Sequence, residues 1–255
     1  MAYIRDRGFV LKHEALREHD AWISIYGERH GKLVGIARGH RRLTGKQIGH
    51  MEPLVLAEVM IAEGKQVDKI AVSRVVEPYH GIRKDLSKVV ILSSCLSLVD
   101  MLTRPGVPDQ RIFAHIEELF QLFSGLTDSP SKERAQLFYS WFALRLLSLS
   151  GNIASFTDCV ICRRELTEPI YPIPKMGGGV CARCAKAEGL ESHDTLPMTW
   201  KLLRLIQGAS CEDIASVSAQ KALFRQANAV ISDMLEFVPA DGEPHGFRTI
   251  SGVLA

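Results

Sequence analysis

AWISIYGERHGKLVGIARG, residues 21–39, reads as two strands joined by a turn. Ile23 and Ile25 alternate with Trp22, Ser24 and Tyr26 at the period of two that places successive side chains on opposite faces of a sheet. After a turn containing Gly27 and Gly31, a second run rich in β-branched and aliphatic residues covers 32–38. Outward from this hairpin, further short runs fall at 5–12, 54–61 and 67–76. In the fourth, Val55, Ala57, Val59 and Ile61 share one face against Glu58 on the other. Gly35 has no side chain to pack and is expected to mark a sharp bend at a barrel corner. Five short strands in about 75 residues suit a small closed barrel of the oligonucleotide-binding (OB) type.

Beyond Pro78 the period changes from two to 3.6. Ile112, Ile116, Leu119 and Phe123 recur at i, i+4, i+7 and i+11, after a Pro108 suited to a first helical turn. A second helix is predicted after Ser129 and Pro130, with Glu133 in its first turn. Leu137, Phe138, Trp141, Phe142, Leu144 and Leu147 cover much of its circumference, so it is expected at the centre of a core. Stretches 86–102, 200–206 and 219–237 are also helical in pattern, whereas the last fifteen residues carry no period and are expected to be loosely held. The predicted class is α+β, with a five-stranded barrel over 1–80 and a helical domain over 81–255.

The chain has 255 residues, enough for a sizeable core and a smaller module; its 46% hydrophobic and 24% charged residues are ordinary globular values. No stretch approaches the roughly 18 apolar residues of a membrane span. Arg5, Asp6 and Arg7 interrupt the N-terminus before an apolar signal region can form, so a cytoplasmic protein with no membrane partner is expected.

Four of six cysteines form the pattern Cys159-x2-Cys162-x18-Cys181-x2-Cys184. Two residues between cysteines let both sulfurs of a tight knuckle face one ion, and two knuckles complete the tetrahedral set of structural Zn2+. Such a site leaves no open position for water, so the zinc is expected to brace the 157–187 loop and not to catalyse. Gly177, Gly178 and Gly179 are expected to supply left-handed backbone for the second knuckle. Cys95 and Cys211 read as buried small hydrophobes.

From residue 29 through 51 the chain carries six basic residues and no acidic one: Arg29, Lys32, Arg38, Arg41, Arg42 and Lys46. The net charge of the whole chain is only +2, so this local run is the notable field. On a barrel, such a run is expected to follow a phosphate backbone, with Trp22 and Tyr26 either stacking bases or packing against the helical part. A phosphate-cradling loop is absent, as are the serine-hydrolase elbow and the zinc-protease helix. His115-Ile116-Glu117 with Cys159-x2-Cys162 is a loose match to zinc deaminases, but Asp158 replaces the required proline and the second cysteine pair would be unexplained. No enzyme activity is expected.

Taken together, EHDAWISIYGERHGKLVGIARGHRR (18–42) and CVICRRELTEPIYPIPKMGGGVCARC (159–184) resemble the RecO family of bacterial recombination mediator proteins. The resemblance implies an OB-fold domain that binds single- and double-stranded DNA and anneals complementary strands. It also implies partnership with RecR in loading RecA onto DNA coated by single-strand binding protein, contact with that protein's acidic C-terminal tail, and a place at the nucleoid. The basic surface of the family maps onto Lys32, Arg38, Arg41 and Arg42, with Arg29 and Lys46 as weaker additions. An RNA-binding or transcription-associated OB-fold and zinc-ribbon protein is the alternative.

Overall fold

The computed structural model describes residues 2–16, 18–39, 51–151, 155–167, 169–190, 197–217 and 220–237. They fall into two compact units, Met1–Ser129 and Pro130–Ala255.

The first unit is built on β1 (Tyr3–Ala15), β2 (Ala21–Gly27), β3 (Gly31–Ala37), β4 (Leu56–Ala62) and β5 (Lys69–Glu77), closed into a barrel in the order β1-β2-β3-β5-β4. Its 13-residue first strand serves two neighbours, pairing with β4 over Tyr3 to Phe9 and with β2 over Gly8 to Ala15. A register shift between Val10 and Lys12 lets it turn from one to the other. Ile23, Ile25, Val55, Ala57, Val59 and Ile61 fill the interior, as the alternation predicted, together with Val10 and Ile70. Each of the larger ones contributes about 1.5–3 kcal/mol by leaving water.

Closure falls to one parallel contact between β3 and β5, Ile36 opposite Lys69, with Ile36 N–H donating to the Asp68 carbonyl at 2.9 Å. A Cβ on Gly35 would stand 3.3 Å from that same carbonyl oxygen. The β2–β3 register runs through Gly35 without a break. Its role is therefore close backbone approach at the seam, where the sequence suggested a corner bend.

A single turn, α1 (His80–Arg83), leads to α2 (Leu86–Leu102) and α3 (Gln110–Gly125). Asp85 caps α2 by accepting from the N–H groups of Ser87 and Lys88. Asp109 caps α3, which puts Pro108 one residue outside the helix and not in its first turn. The buried Lys88 ammonium donates to the carbonyls of Phe123 (3.2 Å) and Leu126 (2.5 Å), satisfying the last turn of α3 where the dipole favours a cation. The predicted stripe Ile112, Ile116, Leu119 and Phe123 is buried. Phe113 and Phe120 lie 5.3 and 4.8 Å from the Phe9 ring of β1, which ties these helices to the barrel.

In the second unit α4 (Lys132–Leu149) is central, with Phe138, Trp141, Phe142 and Leu144 fully or almost fully buried. It packs against α6 (Pro197–Gly208), α7 (Cys211–Ser216) and α8 (Lys221–Glu236). The Trp141 indole N–H donates to the Ala209 carbonyl at 3.0 Å. Between α4 and α6 lie the hairpin β6 (Ile170–Ile173) and β7 (Gly178–Cys181), then the short α5 (Ala182–Ala187). The final fifteen residues lie outside the described residues. Among the described residues no helix is long and apolar enough to cross a membrane.

Candidate functional site

The four predicted cysteines come together, with all sulfurs within 4.8 Å of one another. Cys159 closes its knuckle by accepting from Arg163 N–H at 2.9 Å and donating its own N–H to the Arg164 carbonyl at 2.7 Å. Cys181 ends β7 and precedes α5, so Cys184 follows on the first turn of that helix. Cys159 and Cys184 are buried, whereas Cys162 and Cys181 are half-buried. Tetrahedral bonds of about 2.3 Å from zinc would hold sulfurs roughly 3.8 Å apart. The Cys162 and Cys181 sulfurs stand at 3.8 Å. The donor set therefore fits a thiophilic metal ion.

Electrostatics point the same way. Burial raises the Cys159 thiol, but the N–H groups of Cys162, Cys181 and Ile161 outweigh it and bring the group down to about 6. The Cys184 N–H lowers Cys181. Burial and the three neighbouring sulfurs push Cys184 up to about 12, a crowding of like charge that a bound cation relieves.

The glycines act differently from expectation. Only Gly177 of the three has positive φ (+69°); the left-handed residue of the first knuckle is Arg163 at +59°. Gly178 and Gly179 are required by proximity. A Cβ on Gly178 would lie 2.3 Å from the Ser155 carbonyl oxygen, and one on Gly179 would lie 2.7 Å from Ile170 Cγ2 and 2.8 Å from Trp200 Cη2. The sequence reading missed Arg204, which reaches from α6 to donate to the carbonyls of Phe156 (2.6 Å) and Leu166 (3.1 Å) on either side of the first knuckle. An isolated arginine carries no signal of such a contact.

On the barrel, Arg29 and Arg38 are exposed at opposite ends of β3. That strand has seven residues, and at roughly 3.3 Å per residue it keeps the two apart by about 20 Å. Lys32 lies between them and is held: its ammonium is 2.8 Å from Asp100 Oδ1 and 2.5 Å from the Asp100 carbonyl, with 13% of the side chain exposed. Arg41, Arg42 and Lys46 lie outside the described residues.

The two aromatics separate. Tyr26 is fully buried and donates its hydroxyl to the Asp109 carbonyl at 3.1 Å, so it packs. Trp22 is half-buried and lines a cavity of about 380 Å³ with Lys12, Ser24, Lys32, Val34 and Asp100. The turn before β3 is organised by Asp6, whose buried carboxylate accepts from the main chain of Arg7 (2.8 Å), Arg29 (3.1 Å) and His30 (2.9 Å). His115 is buried and Glu117 accepts from Arg7 Nη2 at 3.5 Å, so each belongs to the packing around α3.

Comparison with known proteins matches residues 1–79 to the family model for the recombination protein O N terminal, and residues 83–238 to that for the recombination protein O C terminal. Among curated relatives, the chain is 24% identical to the DNA repair protein RecO of Clostridium perfringens over 243 residues, 94% of this chain and 96% of the relative. It is 30% identical to that of Cutibacterium acnes over 220 residues, 84% and 87% of the two chains. Two family models, in the family's order and together spanning nearly the whole described chain, place this protein in the RecO family of DNA repair proteins.

Proposed function

We propose that the protein is a non-enzymatic recombination mediator of DNA repair. It binds single- and double-stranded DNA, anneals complementary strands and, with RecR, helps load RecA onto DNA coated by single-strand binding protein, whose C-terminal tail it contacts. It works at the nucleoid in the cytoplasm. Family membership across both models carries this reading.

The closed five-stranded barrel is of the OB type. The division of the chain into 1–80 and 81–255, with the 157–187 insertion, follows the break between the two family models, while the first helices of the second part belong to the same compact unit as the barrel. Arg38, Arg41 and Arg42 form the principal phosphate contacts, with Lys46 as a weaker addition. Arg29 contributes from the far end of β3, and Lys32 steadies the barrel wall while adding to the field. The four cysteines hold structural Zn2+, which supplies a cross-link between two segments of a loop too small to bury a core of its own.

The test is anisotropy on matched single-stranded DNA, duplex DNA and RNA, with an annealing assay. Binding to both DNA forms with annealing is expected, and the triple change R38E/R41E/R42E should weaken both forms whatever their sequence, because phosphate contacts read no bases. Preference for structured RNA without annealing would instead support the transcription-associated alternative.

A further inference from the structure

The outer face of β2 and β3 is only half available. At one end Asp100 of α2 takes hydrogen bonds from Ser24 Oγ (2.5 Å) and Lys32 Nζ (2.8 Å). Pro105 bridges to Gly31 and Lys32, and Tyr26 is sealed against Asp109. The other end stays partly open at Trp22, Val34 and Ile36, none of them fully buried. Trp22 pairs directly with Ile36. Arg38 follows Ile36 by two residues, just past the end of β3, where the register brings Ala37 opposite Ala21, the residue before Trp22. Asp20 Oδ1 accepts from Gly39 N–H at 2.9 Å and holds the entry to β2 against the exit from β3.

Charge in the cavity beside Trp22 is internally matched. Lys12 pairs with Glu14 and Lys32 with Asp100. The cavity therefore offers an aromatic wall without a net field, while the exposed Arg38, one residue past the end of β3, brings positive charge to that end of the sheet. Its volume of about 380 Å³ lies in the lower range for small-ligand sites.

We propose that Trp22 is a stacking platform for an unpaired base of single-stranded DNA, with Arg38 on the adjoining phosphate. This rests on the DNA-binding reading above and adds to it the element that tells single strands from duplex: a base inside a duplex has no free face to offer the indole. Stacking is tolerant of base identity, because every base has a π-face.

The experiment uses the full chain and an oligothymidylate probe beside a duplex of equal length. Trp141 and Trp200 are 1% and 2% exposed, so quenching of intrinsic fluorescence on adding oligothymidylate reports on Trp22. Trp22→Ala should weaken single-strand binding by about fivefold to a hundredfold, the range for loss of one stacked base. Duplex binding and the salt dependence should stay unchanged, and Trp22→Phe should retain most of the affinity. Wild-type single-strand affinity in Trp22→Ala, equal losses on both probes, or unquenched wild-type fluorescence would overturn the proposal. If Trp22→Ala does not fold, the Phe variant and the wild-type quenching still decide. Arg38→Glu separates the two claims: it should weaken both probes and flatten the salt dependence. Binding unaffected by R38E and by R41E/R42E would count against the DNA footprint itself.

Discussion

The Asp6 carboxylate and His30 meet twice: Asp6 Oδ2 accepts from the His30 main chain and lies against its ring Nδ1, both at 2.9 Å. One buried acid on β1 thus shapes the turn between β2 and β3, where Arg29 stands. Gly27 is part of the same arrangement, since a Cβ there would lie 2.3 Å from Asp6 Oδ2. Asp6→Ala leaves several N–H groups without an acceptor, and a cost of about 3 kcal/mol is expected from the loss of a charged acceptor in a buried place. Urea unfolding should show it, and Asp6→Asn should lose less because one acceptor oxygen remains.

Lys88 makes a second buried polar contact that can be tested alone. Lys88→Met keeps the aliphatic stem but deprives the Phe123 and Leu126 carbonyls of their donor. A loss of about 1–3 kcal/mol is expected, with faster amide exchange in the last turn of α3. Unchanged exchange there would show that water replaces the ammonium.

Metal content tests the cysteine centre. One zinc per chain is expected by elemental analysis, and chelation should open 157–187 to protease. Arg204→Ala should speed metal loss to a competing chelator, because the carbonyls of Phe156 and Leu166 lose their tie to α6. A proteolysis pattern identical with and without metal would remove the bracing role.

Salt should weaken DNA binding steeply. If about five phosphates are neutralised, raising salt from about 50 to 200 mM should cost roughly two to three decades of affinity by counterion release. The triple change R38E/R41E/R42E should reduce the slope of log K against log salt by about 2 to 3.

Acid should loosen the helix starts. The Ser129 hydroxyl hydrogen bond holds Asp85 below the ordinary carboxyl range, and the Arg111 side chain does so for Asp109. A carboxyl lowered in the folded state stabilises above its unfolded value, and that stabilisation is lost as pH falls through the folded one. Urea midpoints measured from neutral pH downward should therefore fall more steeply in the wild type than in Asp85→Asn/Asp109→Asn, by a modest margin because both groups are largely solvated.

Much of this architecture is local in origin and therefore legible. Alternation at 21–26 and 54–61 follows from strand geometry, and the stripe on α3 follows from 3.6 residues per turn. Cysteine spacing is equally local, so the quartet is visible before any folding. Short pieces such as α7, with six residues, carry too little period to be read.

What the chain alone determined is thus its element types, the barrel-then-helices order, the four-cysteine pattern and the run of cations. Only the tertiary structure decided which cations and aromatics remain accessible. Tyr26 and Trp22 are alike in sequence pattern, yet the first is sealed under the segment leading to α3 and the second is left partly open. Lys32 is taken by Asp100, 68 residues away. Such pairings arise from packing between distant segments, and hydrophobic periodicity encodes which face is buried without encoding what buries it.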